Sequence, residues 1–392
     1  MKVLYIARKG IGVGGANDKI ISQIKAFNQN GVICKGLFFD TDLKDIYEDT
    51  KNNSTYYPID INNVPKIYSY PIFWRLHLNY EQKQFYKKVK EVIKNMQYDF
   101  IFFRYDFADI HFLRFVEKFG QKIFIEYNSI PEKEFKKQSI HSHRDTYRYY
   151  CESFFSKKVI RRVKGVIGVA DEITNHQKNK QRQKMAYTLS NGIDVKTFPL
   201  KQYLKYDGTI LNLLILTGYV SDRHGVDRIL KSIQKYQGKT MINFYIIGKV
   251  NQSDKILSQD LGIDNQVFFI DFLEKEKITD LFNQIHLGVG SMALFKADMK
   301  EASPLKVRDF LSRGVPFFYA YEDTDLNKYP EMSNYFLKFQ NDDSLINMQK
   351  VIDFFEPILK DEKHIEKIRN YALTTVDYQY KIQQFISFLK TI

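Results

Sequence analysis

The sequence predicts an α/β protein made of two doubly wound, Rossmann-like units that face each other across a cleft. Short apolar runs bounded by turns alternate with amphipathic segments of helical length, which is the pattern of buried parallel strands in βα units. The alternation stops once near the middle of the chain and then restarts. A length of 392 residues with 44% hydrophobic content supplies a core for two domains.

The apolar runs give the expected strands in order. In the first half they are Val3–Ala7, Ile33–Phe39, Phe100–Phe103, Ile123–Glu126, Gly165–Val169 and Ala186–Leu189, and in the second half Leu211–Leu216, Phe244–Ile247, Val267–Ile270, Leu287–Gly290 and Phe317–Ala320. Helices are expected over Gly225–Tyr236, Ser253–Leu261, Lys275–Gln284, Pro304–Ser312, His364–Ala372 and Gln379–Leu389. We expect an N-terminal domain at residues 1 to 200, a hinge near 199 to 210 and a C-terminal domain at 211 to 375. The segment from about 376 to 392 would be able to pack back on the first domain.

Bulk composition bounds the setting of the chain. A net charge of +13 favours phosphates, anionic lipid or nucleic acid without choosing among them. Cys34 and Cys151 are too few for a disulfide framework or a structural zinc site, so a reducing cytoplasm is expected. The N-terminus resembles a first strand more than a signal peptide, and no run of about 18 apolar residues is present to span a bilayer.

The most informative segment, EASPLKVRDFLSRGVP, begins at Glu301. Ser303 is expected at the N-cap and Pro304 at the first helical position, with the helix ending at Gly314. The helix N-terminus favours an anion, and Asp309 lies on the helix itself. Two acids flanking an anion-binding terminus suit a sugar nucleotide, because carboxylates accept from hydroxyls while amides bind phosphate. The alternative is an ordinary capped helix with two surface acids.

Basic residues also follow the first strand of the second half. A turn at Gly218 leads to Arg223 and His224 and then to a helix start, which places cations where a diphosphate would bind in a doubly wound sheet. Gly248, after the next strand, is grouped with this donor site. The alternative is a solvated loop with ordinary surface charge.

A glycine-rich loop follows the first strand of the chain. Gly10–Gly15 matches G-x-G-x-x-G and the second strand ends at Asp40, so an NAD-dependent oxidoreductase is the alternative function. Asp40 lies beyond the usual spacing of about 20 residues. Gly14 and Gly15 would equally let backbone amides approach a phosphate or a sugar.

Two Asp-Thr-Asp triplets, at residues 40 to 42 and 323 to 325, follow expected strands. Such triplets hold a metal in another class of sugar-transferring enzyme, but acidic residues after strands also form turns. We expect no metal site.

The stretch from Lys133 to Lys164 carries ten Lys and Arg against three acids, with aromatic residues interleaved. It fits an anionic membrane surface, or a long helix with a solvated basic face and an aromatic core face. Contact with nucleic acid is the weakest of the three interpretations, and no nucleic-acid partner is expected.

On these motifs the chain resembles a GT-B glycosyltransferase of the large retaining family 4, in its bacterial surface-polysaccharide branch. Glu301 and Asp309 match the E-x7-E signature with the second Glu shortened to Asp. Further similarity lies in Ser303–Lys306 with Arg313–Pro316 ("SPLK…EYLA.G.P"), Asn191–Asp194 with Phe198 ("NGVD…F") and His224–Arg228 ("HG.DR"). Tyr219 and His224 depart from it, because many relatives carry Arg and Lys for the diphosphate at those places.

The resemblance implies a metal-independent retaining enzyme that transfers a sugar from a nucleotide diphosphate donor, with a UDP-sugar favoured, and uses no other cofactor. The acceptor would be a surface glycan or glycolipid, and the enzyme would work in the cytoplasm or at the inner face of the membrane. Glu301, Arg223 and Lys306 would be catalytic, since the cations stabilise the leaving diphosphate. The donor-binding residues would be Asp309, His224, Gly218, Ser303, Pro304, Leu305 and Gly248. Glu126 and Asn128, with Gly14 and Gly15, are assigned by position to the acceptor or phosphate loop.

Overall fold

A computed structural model describes residues 1–8, 15–60, 74–140, 142–182, 184–328 and 330–392 of the chain. The chain divides into two compact units. The first comprises Met1–Leu189 with Ile382–Ile392, and the second comprises Ser190–Lys381. The expected hinge at residues 199 to 210 therefore lies inside the second unit.

A mainly parallel sheet forms the centre of the first unit. Its strands are β1 (Lys2–Arg8), β2 (Ile33–Asp40), β3 (Tyr47–Asp49), β4 (Ser54–Pro58), β5 (Phe100–Arg104), β6 (Ile123–Tyr127), β7 (Gly165–Gly168) and β8 (Met185–Thr188). Their order is β3-β4-β2-β1-β5-β6-β7-β8, and only β3 runs antiparallel to its neighbour. Because β1 lies between β2 and β5, the chain reverses its direction of winding there, and the carboxyl end of β1 is the switch point where such sheets bind ligands.

Helices cover this sheet and connect its strands. They are α1 (Gly15–Gln29), α2 (Trp74–Ile93), α3 (Ile110–Phe119), α4 (Pro131–Gln138), α5 (His143–Arg162) and α6 (Asp171–Asn179). The start of α3 shows how local sequence sets a boundary: the Asp109 carboxylate accepts from the Phe112 N–H at 2.7 Å and caps the helix.

The second unit has its own parallel sheet. Its strands are β9 (Ile210–Tyr219), β10 (Met241–Lys249), β11 (Val267–Ile270), β12 (Leu287–Val289), β14 (Phe317–Tyr319) and β16 (Phe336–Lys338), in the order β11-β10-β9-β12-β14-β16. The short strands β13 (Glu301–Ala302) and β15 (Glu322–Asp323) pair with each other outside it. Since β9 lies between β10 and β12, the ligand-binding edge is expected at the carboxyl ends of β9 and β12.

The helices of this unit are α7 (Val226–Lys235), α8 (Gln252–Asp260), α9 (Lys275–Phe282), α10 (Leu305–Arg313), α11 (Met348–Leu359) and α12 (His364–Thr375). The last helix, α13 (Tyr378–Leu389), begins in the second unit and belongs to the first from Ile382 onward. Within the first unit its Phe385 ring contacts the rings of Phe27, Phe102, Phe124 and Tyr187. None of the described helices combines the length and hydropathy needed to cross a bilayer.

The predicted fold class is confirmed, with two Rossmann-like units each built on a parallel sheet. Every expected strand is present in the described chain, with ends that differ by a few residues.

Candidate functional site

The carboxyl end of β9 and the turn after it carry the first group of candidate residues, and Gly218 lies within the strand and not in the turn that we predicted. Gly218 is exposed, and a Cβ placed on it would meet nothing within 4 Å, so local packing does not require a glycine. Asp222–His224 forms a 3-10 turn with Arg223 exposed. Gly248 differs: its φ is +121°, and a Cβ would lie 2.0 Å from the Thr217 carbonyl oxygen. Backbone packing therefore requires Gly248, and its donor role remains a prediction.

His224 is buried at the end of this turn. Its Nδ1 accepts from the Ser221 backbone N–H at 3.0 Å, so the proton of the neutral ring lies on Nε2. Burial lowers the pKa of His224 to about 2, and the positive charges of Lys306 and Arg223 act in the same direction. His224 is thus a neutral hydrogen-bond donor at physiological pH, whereas a lysine would bring a charge.

The start of α10 differs from the prediction by one residue. The helix begins at Leu305, and its N-cap is Pro304, with φ −73° and ψ 135°. Ser303 is therefore not the N-cap: it is buried, and its hydroxyl points to the Asn191 carbonyl oxygen at 3.5 Å. The ring of Pro304 disfavours a helical conformation of the residue before it, so Ser303 is kept out of the helix. Gly314 ends the helix at φ +77°, as expected.

Lys306 occupies the first turn of α10 and is the most unusual charge in the second unit. Its Nζ is buried and makes no hydrogen bond with any residue that the structure describes. Burial lowers the pKa of Lys306 to about 7, and repulsion by the Arg223 guanidinium contributes. The first amides of α10 also lack intrahelical acceptors by geometry. Arg223 and His224 therefore lie near Lys306 at the start of α10, close enough for their charges to interact.

Glu301 lies just before the helix, as predicted, but on the short strand β13 and not in a loop. Its Oε1 accepts from the Thr324 hydroxyl at 2.8 Å, and its backbone pairs with that of Glu322 across the two-residue ladder. The carboxylate is partly exposed. Glu301 lies four residues before Leu305, the first residue of α10, and its ligand role remains a prediction.

Asp309 is the second acid of the predicted pair. Its Oδ1 accepts from Arg313 Nε at 2.7 Å, one helical turn later. The Arg313 guanidinium in turn lies over the rings of Phe198 and Phe282. Burial raises the pKa of Asp309, and Arg313 opposes that shift. The carboxylate is held in place and keeps 18% of its side-chain surface exposed.

The two carboxylates of the triplet at residues 323 to 325 form ion pairs with basic side chains of the same chain. Arg308, 0% exposed, donates to both Asp323 oxygens and also bonds Asp325. Lys381 Nζ contacts Asp325 Oδ1 at 2.6 Å. Burial disfavours ionisation of Asp325, but Lys381 and Arg308 outweigh it and lower its pKa to about 2. Both carboxylates are therefore structural ion-pair partners.

The triplet at residues 40 to 42 forms a turn, which was the alternative to a metal site. Asp40 lies at the end of β2, and its Oδ1 accepts from the Asp42 backbone N–H at 3.0 Å. Gly14 and most of the glycine-rich loop lie outside the described residues, while Gly15 is the first residue of α1.

The candidate residues of the first unit form a closed polar cluster. Glu126 is fully buried, and its carboxylate accepts from Tyr5 Oη at 3.0 Å and Gln23 Nε2 at 3.1 Å and pairs with Lys19 Nζ at 2.8 Å. Burial disfavours its ionisation, but Lys19 and Arg104 lower the pKa of Glu126 to about 2. Glu126 has no exposed surface. Contrary to our expectation, it does not present its carboxylate to a ligand.

Asn128 is partly exposed and accepts from Lys19 Nζ at 2.6 Å. Its acceptor role remains a prediction. Sequence reasoning missed Lys19, which links both of these residues, because a single lysine on a helix carries no pattern. It also missed Thr324 and Arg308, although the acidic triplet around Thr324 was a visible signal.

The basic stretch is formed by α4 and α5. Phe135 and Cys151 are buried against Leu78 and Phe107, so part of the aromatic content is core, as one interpretation expected. Tyr150 and Phe154 differ, because they are 66% and 61% exposed. They belong to an exposed stripe along α5, which we call the α5 stripe and which consists of His143, Tyr150, Phe154, Lys157 and Arg161.

Scans of family profiles and of curated protein sequences gave no match. Solved structures do match over the whole chain. Sucrose-phosphate synthase from Thermosynechococcus elongatus is similar with a TM-score of 0.68 at 14% identity, over 100% of this chain and 98% of that one. The lipopolysaccharide outer core galactosyltransferase WaaB gives 0.62 at 12% identity, over 100% of both chains. HepE from Anabaena, solved with UDP and glucose, gives 0.61 at 12% identity, again over 100% of both. The chain therefore has the GT-B fold, and residue roles do not transfer at this identity.

Proposed function

We propose that this protein is a retaining, metal-independent glycosyltransferase of the family 4 type. It would transfer a sugar, such as a hexose, from a nucleotide diphosphate donor, with a UDP-sugar favoured, to a surface-glycan acceptor carried on a lipid. The GT-B fold supports this choice, because similar structures include the lipopolysaccharide galactosyltransferase WaaB and HepE solved with UDP and glucose. An NAD-dependent oxidoreductase is not favoured by these neighbours.

The observation that carries the proposal is the buried ammonium of Lys306, which has no hydrogen-bond partner among the residues that the structure describes. Burying a charge without a partner is costly, so a chain keeps one where a ligand supplies the opposite charge. Arg223 and the neutral donor His224 lie close enough to interact with Lys306 electrostatically. A diphosphate is complementary to these cations and donors, because it carries negative charge and accepts several hydrogen bonds at once.

In the proposed reaction the glycosidic bond to the diphosphate breaks and negative charge develops on the leaving phosphate oxygen. Lys306, Arg223 and the first amides of α10 would stabilise that charge. Glu301 would accept from hydroxyls of the donor sugar and Asp309 from hydroxyls of the ribose. His224 would donate through Nε2 to the donor without adding to the repulsion between the two cations.

Retention would follow if the acceptor hydroxyl attacks from the face that the diphosphate leaves, with its proton passing to the departing phosphate. No covalent intermediate is needed, and we assign no nucleophilic side chain. The product anomer, read by NMR of the initial product, tests this step: an inverted anomer would refute it.

We further propose that the α5 stripe contacts the anionic face of the cell membrane from the cytoplasmic side. Tyr150 and Phe154 supply exposed rings for the lipid interface, while Lys157 and Arg161 lie on the same helix face toward its C-terminus. Each basic residue near an anionic surface adds about 1 kcal/mol of attraction. The unusual exposure of two large aromatic side chains beside basic ones favours lipid over simple solvation.

The donor proposal is tested by calorimetric titration of UDP into Lys306→Met, with Lys277→Met as control, since Lys277 is exposed on α9. Loss of the ammonium should weaken UDP binding about 10- to 100-fold, the range for a charged hydrogen bond of about 1.5–3 kcal/mol. The control should bind as wild type does. Equal UDP affinity in both variants would refute the assignment, and binding of NADH without UDP would favour the oxidoreductase.

The membrane proposal is tested by sedimentation with vesicles of phosphatidylglycerol and of phosphatidylcholine. Wild type should bind the anionic vesicles, and changing Lys157, Lys158, Arg161 and Arg162 together to Glu should release it. Tyr150→Ser with Phe154→Ser should weaken binding even at low salt, because the loss is apolar. Retained binding by the Glu variant would refute the membrane proposal.

A further inference from the structure

The segment that supports Glu301 is the Asp-Thr-Asp triplet, whose middle residue faces the proposed site. Thr324 is 3% exposed, and its hydroxyl donates to Glu301 Oε1 at 2.8 Å. The two residues are brought together by the parallel pairing of β13 with β15, which sets Glu301 opposite Glu322 and Ala302 opposite Asp323. A two-residue ladder is too short to fix its own geometry, so other contacts must hold it.

Those contacts are made by the two aspartates that flank Thr324. Asp323 Oδ1 accepts from the Asp325 backbone N–H at 3.0 Å and the Leu326 N–H at 3.4 Å, which closes a tight turn around Thr324. Arg308 donates to both Asp323 oxygens from the helix that follows Glu301. The turn is therefore tied to α10, the helix that also carries Lys306.

Asp325 anchors the other side of the turn. Its Oδ1 accepts from Ser190 Oγ at 2.8 Å and contacts Lys381 Nζ at 2.6 Å, while Arg308 bonds its Oδ2. The side chains of Arg308, Asp325 and Lys381 are 0%, 4% and 7% exposed. Thr324 thus lies between two carboxylates whose positions are fixed by buried charges.

We propose that Thr324 is a positioning residue for catalysis, which holds the Glu301 carboxylate in the orientation that accepts hydrogen bonds from the donor sugar. The inference rests on the proposed function of Glu301. A carboxylate on a flexible side chain loses rotamer freedom when it binds a hydroxyl, and a fixed donor at Oε1 removes that loss before the substrate arrives. The Asp323 and Asp325 ion pairs give Thr324 the rigidity that this role requires.

The inference differs from a purely structural role in what it predicts for kinetics. A hydroxyl that only stabilises the fold would change the melting temperature and leave turnover per folded molecule unchanged. A positioning hydroxyl should lower kcat, because a misplaced catalytic group costs up to about 100-fold. UDP affinity should not change, since UDP lacks the sugar that Glu301 binds.

The experiment compares Thr324→Val, which loses the hydroxyl, with Thr324→Ser, which keeps it. The control is Thr240→Val. Thr240 directly precedes β10, at the end of the strand opposite to the site, and its hydroxyl donates to the Gly208 carbonyl oxygen at 2.8 Å. Thr324→Val should lower kcat for sugar transfer or donor hydrolysis roughly 10- to 100-fold with an unchanged Kd for UDP. Thr324→Ser and Thr240→Val should stay within about threefold of wild type. Normal kcat in Thr324→Val would overturn the inference.

Crystal structures of the same variants separate this inference from the proposed function. If wild type neither binds nor turns over nucleotide sugars, the proposed function fails. The position of the Glu301 carboxylate in the variants then decides separately whether Thr324 holds that carboxylate in place. The carboxylate should leave its observed position in Thr324→Val and keep it in Thr324→Ser. An unmoved carboxylate in Thr324→Val would overturn the positioning role whatever the activity.

Discussion

Lys19 in the first unit and Lys306 in the second both have buried ammonium groups, yet the surroundings of these groups differ. Lys19 Nζ pairs with Glu126 at 2.8 Å and donates to Asn128 at 2.6 Å. Lys306 Nζ has no hydrogen-bond partner within the described chain. The first charge is neutralised by the protein, and we propose that a ligand neutralises the second.

This difference separates structural ion pairs from binding groups better than burial or charge alone. A cluster closed on itself should affect folding when it is changed and leave ligand binding intact. An open cluster should do the reverse, because its partner arrives only with the ligand. Stability and affinity measured together on each variant therefore test the comparison from both sides.

The largest expected effect is on the closed cluster. Glu126→Gln leaves Lys19 and Arg104 without a buried counter-charge, so the free energy of unfolding of the first unit should fall by about 3–5 kcal/mol. The emission of Trp74, the single tryptophan of the chain, reports unfolding of that unit in urea. Glu117→Gln, which removes an exposed pair with Arg162, should cost under about 1 kcal/mol. Equal losses in both variants would remove the distinction.

On the open side, Glu301→Ala should lower turnover a hundredfold or more, on the order of 3 kcal/mol, because the variant loses contacts to the sugar in the transition state. The matched control is Glu322→Ala, since Glu322 pairs with Glu301 across the β13–β15 ladder and its carboxylate contacts Lys338. Initial rates at saturating donor give the comparison. A Glu301→Ala variant that works at the wild-type rate would contradict the assignment.

Asp309→Ala should weaken donor binding by about tenfold, the effect of one charged hydrogen bond. Titration of UDP and of its 2′,3′-dideoxy analogue makes the test specific: wild type should prefer UDP, and the variant should bind both alike. Asp264→Ala, at an exposed acid of the same unit, should keep the preference. The ribose assignment is refuted if Asp309→Ala still discriminates between the two nucleotides.

The smallest expected effect is a pH dependence of donor binding set by Lys306. Burial and Arg223 lower the pKa of Lys306 to about 7 in the free protein, and a bound diphosphate should raise it. Below about pH 7 the ammonium is already charged, so affinity should be flat. Above it, binding must take up a proton, and UDP affinity should fall by at most about tenfold per pH unit. Calorimetry in buffers of different ionisation enthalpy detects the proton, which Lys306→Met should abolish.

The fold was predictable because its signal is local. Runs such as Val3–Ala7 and Phe100–Phe103 are continuous apolar segments, and each forms a mostly buried strand. Helix α11, which contains an interior proline at Pro357, was not predicted, and neither were the short strands β3, β4 and β16. Short strands depend on partners that are distant in sequence, so no local pattern identifies them.

The site was predictable only in part. Glu301 and Asp309 could be placed because their spacing around a helix start is a local pattern, and Gly314 ends that helix as expected. Several elements of the fold contribute the contacts that bury Lys306 Nζ and that shield the Glu126 carboxylate from solvent. The pairing of Glu126 with Lys19 joins β6 to α1, and nothing in either segment alone indicates it.

The lack of a hydrogen-bond partner for Lys306 Nζ among the described residues also bears on how this protein would respond to engineering. Removing an uncompensated interior charge commonly strengthens a fold, so a library screened only for heat resistance should enrich replacements at this position. The selected variants would have a higher melting temperature but would lack the ammonium group that we propose binds the donor. Selection schemes for this chain therefore need substrate present from the first round.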